Sequence, residues 1–173
     1  MHFHNDIGCA TANALIAAQT GIDRIDVSVA SLGERAGNPA TEEVVAAIAQ
    51  EGGSPGVETE RLIPITESVL DALDESVSVR KPILGGEVTT HESGIHTDAM
   101  LAEPATFEPS DPATFGGEHR LVFGAATGRG AARELLERAD EAVTEARVER
   151  LLEQLSTEGL VELDVALSLA EQL

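Results

Sequence analysis

The chain contains no tryptophan and no tyrosine, four phenylalanines, one cysteine and one lysine. Each shortage excludes something. With aromatics at 2% and hydrophobic residues at 42% of 173 positions, the core has to be built of Ala, Val, Leu and Ile, which suits close-packed helices better than an aromatic-rich sandwich. Cys9 on its own rules out an internal disulfide framework and fits a reducing, cytoplasmic location. No run of about 18 apolar residues occurs, and no basic stretch leads into an apolar one at the N-terminus, so the reading includes neither a membrane span nor a signal peptide. Positive charge is scarce as well: 11 Lys and Arg face 31 Asp and Glu, a net charge of −20. A polyanion would be repelled by such a surface, which sets nucleic acid aside as a partner. With Lys81 the sole lysine, this acidity points to a halophilic cytoplasm, where salt screens the repulsion among carboxylates.

What is present has the rhythm of an α/β chain. Ala10 to Gln19 has helical composition and stops at Thr20-Gly21, a C-cap. Residues 25–32 are rich in β-branched side chains (Ile25, Val27, Val29) and read as a buried strand. Asn38-Pro39-Ala40-Thr41 opens a second helix, with Thr41 as N-cap and Glu42 and Glu43 in its first turn, and residues 52–56 close it in a Gly-Pro loop. A third helix, Thr59 to Leu73, places Leu62, Ile65, Val69 and Leu73 at helical spacing. Alternating strands and helices are the mark of βα units on a parallel sheet. Beyond Lys81-Pro82 the pattern changes, and residues 84–118 read as a mainly irregular segment too long for an idle connector. From Gly130 one long amphipathic helix is predicted to about Leu155, followed by a short one from Leu163 to Glu171.

Four local patterns carry chemistry. In His2-Phe3-His4, side chains two residues apart on an extended strand leave the same face, so both imidazoles can reach one cation. The same pattern also occurs on polar strand edges and does not decide by itself. The second is Ser31-Leu32-Gly33-Glu34-Arg35-Ala36-Gly37-Asn38, whose glycines permit a tight turn while Glu34, Arg35 and Asn38 offer groups to a metal or an anionic substrate. It follows the next strand and falls at the rim where barrels of βα units carry their sites. The third, Thr90-His91-Glu92-Ser93-Gly94-Ile95-His96-Thr97-Asp98, puts two histidines beside acids, a composition for proton transfer near neutral pH and equally for a solvated loop. Residues 121–129 read as a strand and turn leading into the long helix, a structural role.

In order and spacing these pieces resemble the 2-isopropylmalate, homocitrate and citramalate synthase family of metal-dependent TIM-barrel acyltransferases. HFHND, GERAGN, ESGIHTDA and FGAATGR stand where that family carries HxHND, GERAGN, ESGIHxDG and LGKxSGR. Ala99 and Ala125 depart from its glycine and lysine. Within the family, ATAN after HND, THESGIH and Thr106-Phe107-Glu108-Pro109 look nearest to homocitrate synthases.

The resemblance implies the last βα units of a (β/α)8 barrel, residues 1–80, then a linker and small irregular subdomain, 81–128, and a helical subdomain, 129–173. It implies a divalent metal (Mg, Mn or Zn) held by His2 and His4, with Asn38 as a third ligand or close neighbour. It gives His96 an acid–base part, contributed across a homodimer that exchanges subdomains, and gives Glu34 and Glu92 places in the pocket. The implied reaction joins acetyl-CoA to a 2-oxo acid. Earlier barrel units with an Arg–Asp pair on the first strand are expected to lie outside this chain, which alone is then expected to be inactive. The competing readings are a metal-dependent lyase or aldolase of the same barrel, and a non-catalytic remnant or interaction subunit.

Overall fold

The computed structural model describes residues 1–91 and 110–173. They divide into two compact units, one of Met1–Val88 with Pro112–Glu118, the other of His119–Leu173 with the described residues between Thr89 and Asp111.

The first unit is built around three helices: α1 (Ala10–Gln19), α2 (Thr41–Gln50) and α3 (Leu62–Leu73), the last entered through a 3-10 turn at Thr59–Arg61. Small residues decide how closely α1 packs, since its buried positions are Ala10, Ala14 and Ala17. On α2 the buried set is Glu42, Val44, Val45 and Ala46, and Val45 and Ala46 pack with Leu62 and Phe115. The face of α3 that is buried runs through Leu62, Thr66 and Leu70, whereas Ile65 and Leu73 are exposed, so the stripe expected from spacing holds at Leu62 and then shifts by one residue, from Ile65 to Thr66 and from Val69 to Leu70. Thr41 is the first helical residue and Ala40 its N-cap, one position earlier than read from the sequence.

Neither His2–His4 nor residues 25–32 form a strand, contrary to the expectation. A parallel strand needs a run of consecutive ladder hydrogen bonds to a neighbour, and here the extended segments hold one another only at isolated points. The Asp26 amide donates to the Met1 carbonyl at 2.9 Å, and Ser28 and Ala40 form one parallel bridge. After Ser28 the chain turns into a 3-10 step, Val29–Ser31, with Ala30 and Ser31 at φ of 51° and 65°, which no strand contains. The outcome is an α/β chain: the helices and extended stumps of a partial barrel, and a mainly helical subdomain.

That subdomain carries a three-stranded sheet. β1 (Thr90–His91) pairs in parallel with β2 (Arg120–Phe123), and β2 pairs antiparallel with β3 (Val161–Glu162) in the register Val122 to Glu162 and Phe123 to Val161. The single long helix expected after Gly130 is two: α4 (Arg129–Arg138) and α5 (Glu145–Glu158). The break follows from local chemistry, because Asp140 adopts a left-handed φ of 60° and the Thr144 hydroxyl caps α5 by accepting from the Arg147 amide. Folding back lets Leu135 and Leu136 of α4 meet Val148, Leu151 and Leu155 of α5, all fully buried with Phe123. Helix α6 (Leu163–Glu171) adds Ala166 and Ala170 to this core. Among the described residues no helix is long and apolar enough to cross a membrane.

Candidate metal centre

His2 and His4 leave the same side of the extended opening segment, as their spacing dictates. Their Nε2 atoms lie 3.2 Å apart, with the rings edge to face and 4.9 Å between centroids. Two nitrogens each ~2.1 Å from a shared cation stand roughly 3.0–3.4 Å apart as the angle between them passes from octahedral to tetrahedral. The pair therefore has the spacing of two ligands on one ion.

The surroundings favour the tautomer of His2 that ligation through Nε2 requires. Nδ1 of His2 lies 3.3 Å from Asp26 Oδ2, and a proton donated there leaves the Nε2 lone pair turned toward His4. Nδ1 of His4 is buried and makes no hydrogen bond among the described residues, so a proton on it, as ligation through Nε2 requires, has no acceptor there. Among the described residues no group of three or more His, Cys, Asp and Glu side chains converges. Two imidazoles are half of a tetrahedral donor set, and further donors have to come from other atom types or other parts of the protein.

Asn38 is the third residue drawn to this point. Its Nδ2 donates to the Phe3 carbonyl at 2.8 Å and lies 3.3 Å from His2 Nε2. The nitrogen of the amide thus faces the histidines, and a half-turn about Cβ–Cγ is needed to present Oδ1. The bond to Phe3 fixes the backbone between the two histidines, which makes Asn38 in this rotamer a clamp on their spacing, a bond given up by the half-turn that presents Oδ1.

The loop from Ala30 to Asn38 is locally strained. Ala30, Ser31, Arg35 and Gly37 all have left-handed φ, and of these only Gly37 is a glycine. Gly37 is irreplaceable on steric grounds, because a Cβ there would run into the Ser31 carbonyl oxygen. Ser31 and Asn38 close the loop: the Asn38 amide donates to Ser31 O at 3.3 Å, and the Ser31 hydroxyl donates to Asn38 O. Glu34 sits on the turn at the loop tip, where its carbonyl accepts from Gly37 N at 3.1 Å and its side chain is exposed.

Arg35 ties this loop to the segment that follows the histidines. Its Nε and Nη2 donate to the Asp6 carboxylate at 3.1 and 3.0 Å, a two-pronged contact. Hydrogen bonding to Arg35 holds the Asp6 carboxyl below the usual aspartate range. The structure thus brings together His2, His4 and Asn38 and leaves Glu34 exposed nearby, while Glu92 and His96 lie outside the described residues. Two participants escape the sequence reading. Asp26 is open to discovery as the lone acid in the run Ile25-Asp26-Val27-Ser28-Val29; Glu42 reads as a solvated helix-start acid and is instead fully buried.

Residues 1–69 match the family model described as HMGL-like, and residues 83–159 the one described as homocitrate synthase post-HMGL domain-like. Homocitrate synthase 1 of Nostoc sp. is 44% identical over 138 residues, 79% of this chain and 37% of the relative. A 2-isopropylmalate synthase 2 of Caldanaerobacter subterraneus is 44% identical over 132 residues, 76% of this chain and 34% of the relative. A putative (R)-citramalate synthase of Methanopyrus kandleri is 36% identical over 160 residues, 92% of this chain and 31% of the relative. The chain thus spans 31% to 37% of the length of these three.

Proposed function

Since the chain belongs to the homocitrate, 2-isopropylmalate and citramalate synthase family, we propose that it supplies the metal-binding wall of an acyltransferase that condenses acetyl-CoA with a 2-oxo acid in amino-acid biosynthesis. The observation that carries this reading is the 3.2 Å approach of the two Nε2 atoms beside the Asn38 amide.

His2 and His4 would hold a divalent cation, which would supply Lewis-acid polarisation of the 2-oxo acid's carbonyl. The residues of this chain do the rest of the local work. Asp26 holds the proton of His2 on Nδ1, and Asn38 holds the Phe3 backbone so that both imidazoles keep their distance. Arg35 and Asp6 fix the loop beside the segment that bears the histidines. Glu34 and Glu92 are assigned to shaping the pocket, and His96 to removing the proton from the acetyl methyl group, the resemblance being what supports these roles. Residues 1–80 then belong to the barrel, 81–128 to the linker and small subdomain, and 129–173 to the helical subdomain, in a homodimer that exchanges this region.

Donors and substrate contacts beyond these are needed, so the chain is proposed to act together with further barrel units. The test is CoA release in high salt with 2-oxoglutarate, 2-oxoisovalerate and pyruvate. It is run on this chain alone and on the chain co-expressed with the N-terminal two thirds of a homocitrate synthase. Turnover only in the second case, lost in His2→Ala, supports the reading; no turnover in either, or turnover indifferent to His2, overturns it.

A further inference from the structure

The sole lysine sits at a buried junction that the proposed chemistry does not use. Lys81 is 18% exposed, and its Nζ pairs with Glu43 Oε1 and lies 3.8 Å from Glu42 Oε1. Glu43 is also held by the Thr11 hydroxyl, which donates to Oε2 at 2.6 Å. Glu42 is completely enclosed, and its Oε2 accepts the Ala30 amide at 3.0 Å. Oε1 makes no hydrogen bond, so the Lys81 charge is what compensates it. A carboxylate in such a place is tolerated only with a partner charge.

What Glu42 grips matters more than the pair itself. Ala30 and Ser31 occupy left-handed backbone that side chains other than glycine disfavour, and the bond from Glu42 is an anchor at the start of that turn. Ser31 then receives the Asn38 amide, and Asn38 in turn clamps Phe3 between the two histidines. A continuous route of contacts therefore runs from Lys81 through Glu42, Ala30, Ser31 and Asn38 to the imidazole pair.

We infer that Lys81 is a positioning residue for the metal centre, acting through Glu42 to hold the left-handed turn on which the placement of Asn38 depends. This rests on the metal-site reading above. Outer contacts of this kind change metal affinity by 10–100-fold when removed. The test uses the full chain as wild type, Lys81→Met, Lys81→Arg and the double variant Lys81→Met/Glu42→Gln. Two readouts are taken: amide hydrogen exchange at Ala30 and Asn38, and cobalt(II) affinity with its visible absorption.

The expected result is that Lys81→Met speeds exchange at those two amides while α2 and α3 keep their protection, and weakens cobalt binding about 10-fold. Lys81→Arg restores both. So does the double variant, because the neutral side-chain amide that replaces the Glu42 carboxylate still accepts from Ala30 and no longer needs a partner charge. Wild-type behaviour of Lys81→Met in both readouts overturns the inference, as does loss of protection throughout the unit or failure of the double variant to recover. If wild-type protein binds no cobalt, the metal reading falls and this inference with it. If wild type binds cobalt and Lys81→Met binds it equally well, only the inference falls.

Discussion

At the scale of single residues, the centre depends on groups that touch the histidines rather than on the histidines alone. Asp26→Asn keeps the size of the side chain and removes the charge that favours a proton on His2 Nδ1. Cobalt affinity is expected to drop about 10–100-fold, with little change in urea stability, as a titration beside an unfolding curve checks. Glu42 makes a separate prediction about pH. Burial raises its carboxyl above the ordinary glutamate value, outweighing the Ala30 amide and Lys81, which pull the other way. Because the folded-state value lies above the unfolded one, this group's contribution to stability is full below about pH 4.3 and declines as pH climbs through the raised value. Glu42→Gln should remove that decline, seen as a flatter plot of unfolding free energy against pH. Asp6 and Glu145 act in the opposite sense. Hydrogen bonds from Arg35 to Asp6, and from Arg133 and then Arg129 to Glu145, hold their carboxyls low, so what they contribute is present at neutral pH and lost on acidification.

At the scale of elements, backbone geometry around the loop and packing in the helical core set the costs of change. Gly37→Ala places a Cβ against the Ser31 carbonyl at a φ of 80°, and is expected to cost at least ~2 kcal/mol in urea unfolding. Leu151→Ala empties a fully buried site between α4, α5 and α6 and should cost roughly 2–5 kcal/mol by the same measurement. Helix α1, its end at Thr20 and helix α6 are legible in the sequence, because composition and stop signals there are local. The segments 2–4 and 25–32 mislead for the opposite reason: alternating histidines in the first and β-branched content in the second mark stretches fit for a sheet, but a ladder also requires neighbours that residues elsewhere must supply. The break between α4 and α5 is hidden because Ala132, Leu135, Leu136, Ala139, Val143 and Ala146 keep a helical period across it, while the signals that interrupt it, Asp140 and Thr144, are polar and single. The His pair is readable from spacing. Asp26 shows only as a lone acid in an apolar run, with nothing to name its partner, and Glu42 is not readable at all, since an acid's partner across the fold leaves no mark in its own neighbourhood.

At the scale of the whole molecule, a net charge of −20 on 173 residues makes self-repulsion a general term. Raising KCl from 0.1 to 2 M shortens the screening length from ~10 Å to below ~3 Å, so the melting temperature should climb with salt; a melting temperature that falls over the same range contradicts this. The metal site is less sensitive, its contacts being short. Whether His2 and His4 share one divalent ion is decided by cobalt(II) titration of the intact chain, followed by visible absorption. A shared ion gives one cobalt per chain with a ligand-field band that His2→Ala and His4→Ala each abolish. Absence of that band in the wild type, or a band unchanged in both variants, contradicts it.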